Sequence, residues 1–195
     1  MRYFYLIITV FYILALNACS TLPSDYSNVR LNFEHIDSLD LSVSKIEIVN
    51  NYVPKLSRPN VEHLFDVTPS EVITDFVKKK FVANGGKNNL QIIIEKASVI
   101  EDIKEANRNL KNNILFKEKL INYKCEFQLR VKLKSDIGFT KSYILIKTNI
   151  NKILKSNISL NERGKIFFEI NENMILNLDQ EINRQAKKHF YNYIV

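Results

Sequence analysis

Apolar and polar positions recur along this chain with two different periods, and each change of period marks a new element. Val43, Ile46, Ile48 and Val49 outline a first strand, which Asn50-Asn51 and Pro54 bring to an end. Further on the spacing lengthens: Val72, Ile73, Phe76, Val77 and Phe81 lie three and four residues apart, on one face of a helix. Thr68, Pro69 and Glu71 form a capping-box start for it, and Gly85-Gly86 is the expected stop. A second strand is expected over about Leu90 to Ile100, where the unbroken Ile92-Ile93-Ile94 predicts burial on both faces and a central position. Residues 101–118 are charged and Asn-rich, and read as a long, partly helical excursion.

The clearest pattern follows. Ile121, Tyr123, Cys125, Phe127, Leu129, Val131 and Leu133 alternate with polar residues, which predicts a half-buried strand. Ser135-Asp136-Ile137-Gly138 is a hairpin turn, and Phe139 to Ile150 returns as the partner strand. Ser159 with Glu162 caps a last helix, whose stripe is Ile166, Phe167, Ile170, Met174, Leu178, Ile182, Ala186 and Phe190. The predicted class is α+β in the order β-α-β-β-β-α: a mostly antiparallel sheet with two helices packed on one face, in a single domain over residues 43–195.

Ahead of that domain, Arg2 is followed by fourteen uncharged residues, Tyr3 to Leu16. The run is short for a membrane-spanning helix, which needs about 20 apolar residues, and suits a secretory signal. Leu16-Asn17-Ala18-Cys19 resembles a bacterial lipobox, with an aliphatic residue at −3 and a small one at −1. The resemblance implies cleavage after residue 18 and attachment of a diacylglycerol and an N-acyl chain such as palmitate to Cys19. Ser20, not Asp, as the second mature residue favours the outer membrane over the inner by similarity to enterobacterial sorting. Residues 19–42 then read as the acylated cysteine and a polar tether.

Composition narrows the chemistry. Of 195 residues 46% are hydrophobic, too many for a disordered chain. Two cysteines and three histidines give no thiolate or imidazole cluster for a metal, and no phosphate loop, nucleophile elbow or HExxH motif occurs. No metal site, and no cofactor beyond the acyl chains on Cys19, is expected. Cys125 sits on the apolar phase of its strand and is expected to be a buried free thiol; His35 and His189 are expected at the surface.

The formal net charge is +7, from 28 basic and 21 acidic side chains, and its location matters more than its size. Between residues 116 and 157, ten Lys or Arg face three acids, so the excess lies in one hairpin. Alternation puts Lys124, Arg130, Lys132 and Lys134 on one strand face. That face is either a contact for phosphates of phospholipid or lipopolysaccharide, or a solvated surface. Export makes a nucleic-acid partner improbable.

A polar cluster, Asn60, Glu62 and His63, precedes the first helix. It is either a contact point for an envelope protein partner or a loop tied down by its own hydrogen bonds, with Leu64 and Phe65 plugging the core. The stretch Asn60 to Phe65, with Ala97-Ser98-Val99, Ser159 to Arg163 and Leu178 to Glu181, resembles a group of small alphaproteobacterial envelope lipoproteins. The element order is also similar in architecture to the lipopolysaccharide-assembly lipoprotein and to ABC-transport auxiliary lipoproteins. These resemblances imply an envelope location facing the periplasm. The expectation is a non-enzymatic accessory for binding, scaffolding, transport or assembly at the membrane; the alternative is a hydrolase or other enzyme on cell-wall or lipid substrates, built around Glu62 and His63.

Overall fold

The computed structural model describes residues 31–109 and 115–195, with the side chains of residues 106–118 left aside. The expected signal, Cys19 and the first part of the tether lie outside the described residues, as does the middle of the expected excursion.

Two capping boxes start the helices where the sequence places them. Thr68 Oγ1 accepts the Glu71 N–H at 3.4 Å while the Glu71 carboxylate accepts the Thr68 N–H at 2.9 Å, opening α1 (Pro69–Lys80). Ser159 and Glu162 repeat the exchange at 3.2 and 2.7 Å and open α2 (Leu160–His189). The end of α1 departs from expectation. It stops at Lys80, because Phe81 is extended (φ −106°, ψ 124°), buried, and already paired with Leu39.

The strands are β1 (Leu39–Asn50), β2 (Phe81–Asn109), β3 (Leu115–Lys134) and β4 (Thr140–Lys155), in sheet order β1-β2-β3-β4. β1 runs parallel to β2, as the crossover through α1 requires, and the other two pairings are antiparallel. The sheet is therefore mixed, with antiparallel pairing in the majority and β2 inside it. β1 begins four residues ahead of Val43, since Leu39 and Leu41 are buried as well. Gly85 and Gly86 do not stop a helix. They lie inside β2 at φ +84° and +122°, where the register with β1 slips, and a Cβ on Gly86 would meet the Ser42 carbonyl oxygen at 2.7 Å.

The long, partly helical excursion expected over residues 101–118 is also corrected. β2 continues to Asn109 and β3 starts at Leu115, paired residue for residue. β4 ends opposite Leu120, so beyond that row β2 and β3 form a two-stranded ribbon. Outside a layered sheet no face has to alternate apolar residues, and the strand period disappears from the sequence.

Both helices cover the same face. α1 packs on β1 and β2, α2 packs on β4, and the helices touch each other. Beneath them lie Leu90, Ile92, Ile94, Ala97 and Val99 of β2 and the odd-numbered residues from Ile121 to Leu133 of β3, all buried. Cys125 is among them as a free thiol, and burial pushes its pKa up to about 12. The other sheet face carries no helix, although Ile93 and Ser98 on it are buried. At the outer edge of β1 the C-terminus adds a bridge from Ile194 to Leu41 and a Val195 N–H bond to the Asp40 carbonyl at 3.0 Å.

Candidate functional site

Past Asn50 the chain leaves β1, loops out, and returns antiparallel along the same edge of β2. Val61 N–H donates to the Val99 carbonyl at 3.0 Å, Glu101 N–H donates to the Pro59 carbonyl at 2.8 Å, and Asn60 bridges Ile100. This brings Asn60, Glu62 and His63 together in a loop tied down by hydrogen bonds. Glu62 is only 1% exposed. Its Oε1 accepts from the Tyr52 hydroxyl and from Asn60 Nδ2 at 3.4 Å, while Oε2 is buried without a hydrogen-bond partner. Burial first, then the Glu62 carboxylate, raises the Tyr52 phenol well above its ordinary pKa; a Ser98 hydrogen bond opposes them. His63 is half-buried in the 3-10 turn Glu62–Leu64, with Nδ1 buried and unbonded.

Phe65 plugs the core as expected, stacked on Phe167 with centroids 4.0 Å apart and planes 9° from parallel. Leu64 does not. It is 45% exposed, and fully buried Val61 occupies the inward position that strand pairing gives it.

A second buried carboxylate, Glu101, was not singled out by sequence reasoning, which put residue 101 at the start of the long, partly helical excursion. Its side chain is 2% exposed, accepts from the Tyr123 hydroxyl at 2.9 Å, and lies 3.6 Å from Arg58 and 3.9 Å from Arg163. The signal was available: Glu101 continues the phase of Ala97 and Val99 and stands opposite Tyr123. Glu62 and Glu101 do not form an acid–base pair. Glu62 shares Tyr52 with Ser98 on the helix-free phase of β2, whereas Glu101 meets Tyr123 on the helix-covered phase.

The helix-free face carries the basic residues, with a correction to their charge. Lys124, Arg130, Lys132 and Lys134 do share that face. Lys124, however, lies 2.9 Å from Asp102, and Arg130 holds Glu95 at 2.5 Å while its guanidinium sits 5.8 Å from the Tyr143 ring centre. The hydrogen bond from Arg130 keeps the Glu95 carboxyl below the usual carboxylate range, and that from Lys124 does the same for Asp102. Lys96 and Glu126 form a further pair. The acids Asp102 and Glu95 come from β2, outside the hairpin in which the basic excess was counted, so register neutralises what sequence order leaves unbalanced. Among the described residues Lys132 and Lys134 make no ion pair, although the Lys132 charge also helps to lower the Glu95 pKa. Exposed Lys45, in the row of Lys134 through Asn89, and exposed Lys147, opposite Gln128, extend the unpaired set.

Between the helices and the incoming chain lies a cleft of about 80 Å³, lined mainly by Leu31, Phe33, Phe65, Val67, Val72 and Phe167. Among the described residues no group of three metal-ligating side chains is assembled, and no helix is long and apolar enough to cross a membrane.

No protein-family model matches this sequence, and neither does any curated protein. Loose structural likeness exists to a minor lipoprotein from Acinetobacter baumannii, at 11% identity and TM-score 0.34, covering 76% of this chain and 96% of that one. A homologue of neuraminyllactose-binding hemagglutinin from Helicobacter pylori gives 10% identity and TM-score 0.34, covering 83% and 96%. The rare lipoprotein B from Shewanella oneidensis gives 10% and 0.32, covering 74% and 96%. Likeness of this order carries no activity from one chain to another.

Proposed function

We propose that this chain is a membrane-anchored lipoprotein of the bacterial envelope, held by acyl chains on Cys19 and facing the periplasm, with the outer membrane favoured. It acts as a non-enzymatic accessory in binding, scaffolding, transport or assembly. The helix-free sheet face presents Lys132, Lys134, Lys45 and Lys147 to anionic lipid, either phospholipid or lipopolysaccharide. The observation that carries this reading is the asymmetry of the sheet: one face is sealed by two helices, the other carries no helix, and its basic residues outnumber the acids that neutralise them. The lipobox supplies the anchor. The hydrolase alternative needs Glu62 to reach a substrate, yet it is 1% exposed and committed to Tyr52 and Asn60. The loop of Asn60, Glu62 and His63 is retained as a contact for a protein partner, through half-buried His63.

Vesicle sedimentation tests the lipid part. The mature chain with Cys19→Ser, secreted from an ordinary cleavable leader so that no acyl chain is present, is expected to bind phosphatidylglycerol vesicles but not phosphatidylcholine vesicles. Binding weakens as salt is raised, because the interaction is screened. Reversing Lys132 and Lys134 to Glu is expected to weaken it at least twenty-fold, from about 1 kcal/mol for each lysine near an anionic surface. Equal binding by the reversed protein overturns the assignment of this face.

A further inference from the structure

The β3–β4 turn is framed so as to hold two large apolar side chains in water. Buried Ser135 organises it: its N–H donates to the Phe139 carbonyl at 2.7 Å, its carbonyl accepts the Gly138 N–H at 3.0 Å, and its Oγ accepts the Phe139 N–H at 3.0 Å. Gly138, at φ +92°, supplies the left-handed residue that closes the turn. Asp136 Oδ1 accepts the Ile137 N–H at 3.0 Å. On this frame Ile137 is 76% exposed and Phe139 72% exposed, at a position where turn chemistry asks for polar residues.

Lysines from separate elements gather on the β4 side of the same end of the sheet, while Asp40 lies at its β1 edge. Lys134 precedes the turn, and Lys141 follows it, its ammonium donating to Asn88 Oδ1 at 2.7 Å across the intervening strand. The last turn of α2 carries exposed Lys187 and Lys188. Gln185 and His189 of that turn border the same shallow hollow as Lys141, Ser142 and Tyr143. Among the described residues none of Lys134, Lys141, Lys187 and Lys188 has an ion pair. Asp136 is the turn's own acid, and one of its oxygens is engaged by the backbone.

We infer that this end is a membrane-contact tip, in which Ile137 and Phe139 enter the boundary between headgroups and acyl chains while Lys134, Lys141, Lys187 and Lys188 meet the phosphates of anionic phospholipid. The inference rests on the reading of an anchored envelope protein and narrows its lipid contact from a whole sheet face to one turn. Apolar side chains at the turn, with unpaired lysines on the neighbouring strands and helix end, match the layering of an anionic bilayer surface. A free anion would use the lysines and leave Ile137 and Phe139 in water. The hydrogen-bonded frame fixes the turn beforehand, so insertion orders little chain. Twelve residue steps separate Cys19 from Leu31, about 40 Å at full extension, which lets an anchored molecule bring the tip to its own leaflet.

Depth-dependent quenching tests the tip. The acylated full chain, carrying a bimane fluorophore on Ile137→Cys, is reconstituted in vesicles containing phosphatidylglycerol and a nitroxide-labelled acyl chain. A second preparation carries the probe on Leu56→Cys, an exposed site in the loop after β1. Cys125 is buried with a raised thiol pKa and does not compete for label. The expected result is quenching at position 137 at least fivefold stronger than at 56. It should be lost in pure phosphatidylcholine and lost when Lys134 and Lys141 are reversed to Glu. Equal quenching at the two positions in anionic vesicles overturns the inference, and so does a shift at 137 that appears only when envelope proteins are added. Because the acyl anchor keeps the protein on the vesicle in every arm, failure of the tip leaves anchoring intact. A chain that does not partition into vesicles at all refutes the anchoring instead. In the unacylated Cys19→Ser background, Ile137→Ser with Phe139→Ser is expected to lower vesicle affinity at least tenfold without changing the melting temperature, since both side chains are exposed in the free protein. Unchanged affinity counts against insertion.

Discussion

Lys80→Ala is expected to lower the free energy of unfolding by about 3–5 kcal/mol, a loss of the size seen when one member of a buried ion pair is removed. Lys80 is the third of three lysines ending α1, and unlike Lys78 it points inward. It is 1% exposed, its ammonium lies 2.8 Å from the Asp179 carboxylate of α2, and it donates to the Asp37 carbonyl at 2.8 Å. One side chain thus joins the end of α1, the middle of α2 and the segment entering β1. Without it, among the described residues, the Asn183 amide at 3.0 Å is the one hydrogen-bond partner left to a carboxylate in partly desolvated surroundings. Replacing both partners with apolar residues, Lys80→Met with Asp179→Leu, is expected to recover most of the loss, because the penalty lies in the stranded charge. Urea titrations of the single and double variants measure this. A loss below 1 kcal/mol for Lys80→Ala shows that the ammonium is not locked in place.

Phe167→Ala carries the second large effect, about 3–5 kcal/mol from lost burial and the cavity left behind. The ring is 5% exposed, stacks on Phe65 at 4.0 Å and meets Tyr123 edge-on at 5.6 Å. It connects the first turns of α2 to the loop that carries Asn60, Glu62 and His63, and to the tyrosine that bonds Glu101. The variant is therefore expected to loosen that loop as well as the core. Hydrogen exchange at the Val61 amide, which donates to Val99, should rise more than exchange at β4 amides. Uniform acceleration instead would mean that the loop opens only when the whole protein unfolds.

Elements whose physics is local were legible in the sequence. Thr68 with Glu71 and Ser159 with Glu162 fix their helix starts through contacts three residues apart, and the period of two from Ile121 to Leu133 follows from one buried face. Features set by strand pairing were not. Gly85-Gly86 has the same appearance after a helix as inside a bulged strand, and only register with Ser42 separates the two. The ribbon beyond Leu120 lacks a third strand, so its residues carry no alternation from which a strand could be read. The basic face shows the same limit: ten cations against three acids is a correct count along the chain, but Asp102 and Glu95 reach Lys124 and Arg130 from a neighbouring strand, 22 and 35 residues away. The Asn60 cluster was located by its residue types. Its buried carboxylate, Glu62, is held by Tyr52, which no spacing rule links to it.

Metabolic labelling with palmitate, followed by fractionation of the envelope, tests the central claim of a lipid-anchored protein most directly. The wild-type chain is expected to take up label and to remain with the membranes after high-salt washing, since acyl insertion is not screened by salt. Cys19→Ser should abolish the label and prevent cleavage after residue 18, leaving a slower-migrating precursor. A Cys19→Ser chain that is still labelled, or a wild-type protein that salt releases into the soluble fraction without label, contradicts it.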